Sequence, residues 1–99
     1  MDEIEMSRTC RTASSERYIL SLGEEHVASL ELHFVSSDCI EATLVVLNAD
    51  VIAESALTAL LDMLHRRLFA DNEHQRTQAR FMVMYGKFQG EYSPGGESV

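Results

Sequence analysis

The feature that most constrains this chain is a change of hydrophobic period near residue 48. Before it, apolar residues recur at every second position; after it, they recur at helical spacing. In RYILSL (17–22), Tyr18, Leu20 and Leu22 share one face. After the turn GEE at 23–25, HVASLELHFV (26–35) places Ala28, Leu30, Leu32 and Phe34 on one side and Val27, Ser29, Glu31, His33 and Val35 on the other. A second turn, SSD, leads to CIEATLVVLN (39–48), where Ile40, Ala42, Leu44 and Val46 alternate with Cys39, Glu41 and Thr43. Such alternation predicts a meander of half-buried antiparallel strands.

From Ala49 to about Ala70 the pattern predicts one long helix. Ala53, Ala56, Leu57, Leu60, Leu61, Leu64 and Leu68 form an apolar stripe, with Asp50, Glu54, Thr58, Asp62, His65 and Arg66 opposite. Asn48 suits the N-cap, and His65, Arg66 and Arg67 suit the last turn. A polar connection (71–78) then leads to ARFMVMYGKF (79–88), a strand apolar on both faces: Phe81, Val83 and Tyr85 against Met82, Met84 and Phe88.

The expected fold class is therefore α+β: an antiparallel sheet of about four strands, in the order strand, strand, strand, helix, strand, with one long helix packed on one face. Residues 1–15, Ser/Thr-rich and without periodicity, read as a flexible leader. Residues 16–89 read as a single domain, and 90–99, with the sole Pro and three of the five Gly, as a flexible tail. One helix covers one side of such a sheet. The other side, with Val27, Val45, Met82, Met84 and Phe88 as a possible interface, calls for self-association or a protein partner.

Charge narrows the choice of partner. The formal net charge is -8, and Arg17 to Leu64 alone carries eight acids and one arginine. A surface this negative repels phosphate backbones and anionic lipid, which argues against nucleic acid and membrane and for a basic protein partner. His65 to Arg80 runs the other way, with four arginines against Asp71 and Glu73. The acidic start MDEIEM precedes no apolar run of signal-peptide type, and the two cysteines, Cys10 and Cys39, form no framework. A reduced, cytoplasmic setting is the expectation.

No catalytic or metal motif stands out. His26, His33, His65 and His74 show no ligand spacing, and neither cysteine has a base beside it in sequence. The expectation is no catalytic residue, no metal ligand and no cofactor. The best polar cluster is Glu31 and His33 on one strand with Glu41 on the next, a solvated cross-strand group in its plainest reading.

The segment order, with the turn LGEEHVASLELHF, resembles the smallest GNAT-type N-acetyltransferase-like domains, over Arg17 to about Tyr92. The resemblance implies a coenzyme A pyrophosphate held by backbone amides at the strand-to-helix turn, which in that family reads Q/R-x-x-G-x-G/A. Here that run is Asn48-Ala49-Asp50-Val51-Ile52-Ala53, in which Ala53 alone fits. Val51 takes the place of a glycine that lets backbone approach phosphate, while Asp50 and Glu54 put negative charge at the helix start.

The functional expectation is a small acidic non-enzymatic protein-interaction or adaptor/regulatory module, acting as a dimer or with a protein partner. The alternative is a degenerate GNAT-like domain binding acyl-CoA or another small ligand at the sheet-to-helix notch.

Overall fold

A computed structural model describes residues 3–36, 38–69, 78–87, 89–90 and 92–94. Its elements are β1 (Ile4–Arg11), β2 (Ser15–Leu22), β3 (Glu25–Ser36), β4 (Cys39–Val46), a short 3-10 turn (Glu54–Ala56), α1 (Leu57–Leu68) and β5 (Gln78–Tyr85). The strands form one five-stranded sheet in chain order. The α+β class, the helix and the antiparallel pairing of β2, β3 and β4 match the expectation; the number of strands and the direction of β5 do not.

The first difference lies at the N-terminus. Part of the stretch read as a leader is β1, paired antiparallel with β2 from Ile4↔Leu22 to Arg11↔Glu16. Its Ser/Thr residues build the turn rather than loosening the chain. Thr12 N–H donates to Ser15 O at 2.8 Å, and Ser14 N–H donates to Thr12 Oγ1 at 3.2 Å. Phe34 N–H donates to Ser14 O at 2.8 Å, tying that turn to β3.

The second difference is β5, which runs parallel to β4, from Cys39↔Gln78 to Val46↔Tyr85. The sheet is mixed. A helix between consecutive strands carries the chain back to the end it started from, so the next strand enters in the same direction.

The third difference is the length of the helix. The 3.6-residue pattern runs back to Ala49, yet α1 begins at Leu57. The side chain of Asn48 diverts the chain: its Oδ1 accepts Asp50 N–H at 2.9 Å and Val51 N–H at 3.3 Å. Asn48 thus caps the turn after β4 and not the helix, whose N-cap, Ala56, has no side-chain bond. Ile52 in this turn is fully buried, so it plugs the core from the turn and not from a helix face.

The core lies between the sheet and α1. Leu20, Leu30, Leu32, Leu44 and Val46 from the strands meet Leu60 and Leu64 from the helix, all at 1% exposure or less. Each such side chain contributes roughly 1.5–3 kcal/mol by leaving water. The helix end is fastened separately: Arg67 Nη1 donates to Ile4 O in β1 at 2.7 Å.

Candidate functional site: the open face of the sheet

The face of the sheet turned away from α1 is set by register. Across β3, β4 and β5, Ser29, Val45 and Met84 form one row; Glu31, Thr43 and Met82 form the next; His33, Glu41 and Arg80 form a third. From β2, Arg17 stands opposite Glu31 and Ile19 opposite Ser29. Among the described residues no helix lies over these rows.

Charge alternates across the lower two rows. Arg17 grips Glu31 through Nε at 2.9 Å and Nη2 at 2.8 Å. The other oxygen of Glu31 lies 4.0 Å from His33 Nε2. His33 is paired in register with Glu41, and Glu41 with Arg80. Between these groups and Met82 lies an open depression of about 420 Å³, lined by His33, Glu41, Thr43, Arg80 and Met82. The Arg17–Glu31 ion pair fixes the orientation of both side chains; an exposed pair of this kind adds little to stability, roughly 0–1 kcal/mol.

The expected polar cluster of Glu31, His33 and Glu41 does fall on one face. The expected interface residues divide. Val45 is half-buried and Met82 and Met84 are 63% and 45% exposed on this face. Val27 is a correction: it is fully buried. The β2–β3 register shifts between Leu20 and Ser21, with Leu20 opposite Ala28 and Ser21 opposite His26. Val27 is the extra residue of that bulge and turns inward beside Ala28. Phe88 lies outside the described residues.

A second concavity, about 370 Å³, opens on the helix side below the end of α1, with Leu32, Phe34, Leu68 and Phe69 as apolar walls and Arg11 and Tyr18 at the rim. Glu16 organises its polar edge. Its Oε1 accepts Tyr18 O–H at 2.7 Å, and its Oε2 lies 3.4 Å from Arg8 Nη1 and 3.6 Å from Arg11 Nε. Burial, reinforced by the Glu16 carboxylate, pushes the Tyr18 phenol above its ordinary pKa. Sequence reasoning missed this edge because Arg8 and Arg11 fall in the stretch read as a leader. The signal was the two-residue step from Ile4 to Met6, which puts apolar side chains on one side of a strand.

The corner after β4 has its nearest amides engaged, since those of Asp50 and Val51 are bonded to Asn48 Oδ1. Asn48 Nδ2 in turn donates to Glu25 Oε2. Among the described residues no group of His, Cys, Asp and Glu is arranged to hold a metal ion, and no helix is long and apolar enough to cross a membrane. Comparison with protein-family models, curated proteins and solved structures gives no match.

Proposed function

We propose that the protein is a small acidic protein-interaction module of adaptor or regulatory type, non-enzymatic and cytoplasmic, which works as a dimer or with a basic protein partner. The observation that carries this reading is the open sheet face, where Val45, Met82 and Met84 form an apolar strip on the same face as the Arg17–Glu31 ion pair and the charged residues Glu41 and Arg80. Apolar side chains rimmed by polar ones are what a docking surface requires. The test is retention of a bound protein by the native chain compared with Val45→Glu and Met84→Glu. A specific partner is expected to lose at least tenfold in affinity with both variants, and to be unaffected by Thr58→Glu on the exposed side of α1. Equal binding by all the variants would overturn the reading.

A second reading, a degenerate GNAT-like acyl-CoA or small-ligand domain, is favoured by the strand, helix, parallel strand order around β4, α1 and β5. It is opposed by the Asn48 side chain on the corner amides. A ligand that binds the folded state must raise the melting temperature. Acetyl-CoA at saturating concentration is expected to leave it unchanged, and a rise of several degrees would reverse the order of the two readings.

A further inference from the structure

The two edges of the sheet are built differently. β1 is a protected edge: it carries Glu5, Arg8 and Arg11, and its register shifts between Arg8 and Cys10. Charges and bulges of this kind keep an edge strand from pairing with another chain. β5 has no bulge and a single charge, Arg80. Its register with β4 runs unshifted over eight residues, and it contains no Pro. Among the described residues no strand lies on its other side.

The hydrogen-bond directions of β5 follow from its two ends. Gln78 N–H donates to Asp38 O and Gly86 N–H to Val46 O, each at 2.9 Å. With no shift between them, the even-numbered residues aim their backbone groups at β4. The N–H and C=O of Ala79, Phe81, Val83 and Tyr85 therefore point to the open side.

We propose that β5 is a homodimerisation edge: it pairs antiparallel with β5 of a second copy about a two-fold axis at Met82, making one sheet through both chains. This deepens the interaction-module reading by naming one occupant. Centring on Met82 is the register that uses all four outward residues. Phe81 then exchanges hydrogen bonds with the partner's Val83, and Ala79 with the partner's Tyr85, leaving no outward group of the strand unpaired. An isologous contact also needs side chains that tolerate their own copies. On the helix side, half-buried Phe81 meets the partner's Val83, an aromatic with a β-branched residue. On the open side, Met82 meets the partner's Met82, and Arg80 lies against the partner's Met84. The two Arg80 side chains stand four residues apart along the strand, about 13 Å.

Charge favours the same edge. Residues 78–87 contain Arg80 and Lys87 and no acid, whereas Arg17 to Leu64 carries eight acids and one arginine. Two copies joined at β5 keep their acidic parts apart.

The test is sedimentation equilibrium from about 1 to 200 µM, a range suited to small interfaces, on the native chain, Met82→Lys, Met82→Glu, their equimolar mixture, and Val83→Pro. The native chain is expected to show a monomer–dimer equilibrium. Met82→Lys and Met82→Glu, which place like charges directly opposite, should each weaken it about tenfold or more, and their mixture should restore it as mixed dimers. Val83→Pro removes an outward N–H and spares the ladder to β4, so it should also be monomeric. Circular dichroism establishes that each variant folds; should Val83→Pro not fold, the exposed Met82 pair carries the test alone. A native chain monomeric throughout overturns the proposal. So does a dimer that survives Met82→Lys, or a mixture that fails to restore association. In these last two cases a dimer through another surface would still stand, and the interaction-module reading with it.

Discussion

The two faces of the sheet are made by the same strands and obey opposite rules. Toward α1, β2, β3 and β4 present Leu20, Leu30, Leu32 and Leu44, all fully buried or nearly so. Away from it, the intervening positions present Arg17, Glu31, His33, Glu41 and Thr43, with Val45, Met82 and Met84 at one side. The covered face is chosen for volume, since a close-packed interior penalises every missing methylene. The open face is chosen for pairing, and its residues are exchangeable where they do not meet a partner. One register slip would exchange the two sets, so the alternation fixes register as well as burial.

The contrast can be tested by substitution, from the strongest effect downward. Leu44→Ala, at 0% exposure, is expected to cost about 2–5 kcal/mol by urea unfolding, because it leaves a cavity against α1. Loss of less than about 1 kcal/mol would mean that this face is not close-packed. Asn48→Ala removes the acceptor for two turn amides and is expected to cost about 1 kcal/mol, measured the same way. Met84→Ser on the open face of the isolated monomer is expected to change stability by no more than about 0.5 kcal/mol. A large cost there would give the open face a core-like role in the monomer itself.

A further prediction concerns the edge of the covered face. The Tyr18 phenol has its pKa raised in the folded state by burial and by Glu16. The unfolded chain then ionises first as pH rises. The contribution of Tyr18 is complete below the ordinary phenol pKa of about 10 and is lost as pH climbs through the higher folded value. Melting temperatures taken between pH 8 and 11.5 should fall more steeply for the native chain than for Tyr18→Phe. Parallel slopes would show that Tyr18 is not the group responsible.

Much of this architecture was legible in the residues, and the misses have identifiable causes. β4 was readable because it alternates over all eight of its residues, β3 because it alternates from Ala28 onward, and β2 because Tyr18, Leu20 and Leu22 fall on one face. β1 was not, because beyond Ile4 and Met6 its covered-side positions, Arg8 and Arg11, are polar. The helical pattern reaches back too far because Ala49 and Ala53 continue the stripe in phase; the Asn48 side chain decides the matter, and periodicity cannot sense it. The inward turn of Val27 depends on a bulge, which has no period. The parallel direction of β5 could have been inferred from the helix that precedes it. Of the candidate site, the meeting of Glu31, His33 and Glu41 followed from alternation, whereas the contribution of Arg80 needed the β4–β5 pairing.

That parallel pairing also sets a timetable. The first four strands form a meander of local hairpins, but Cys39 of β4 must wait for Gln78. Loop-closure entropy makes such distant pairings late events in folding. As the chain leaves the ribosome, β4 is therefore a bare edge carrying Ile40, Leu44, Val45 and Val46 until α1 and β5 have been synthesised. The moment of greatest exposure to aggregation falls in that interval, before the strand that completes the sheet exists.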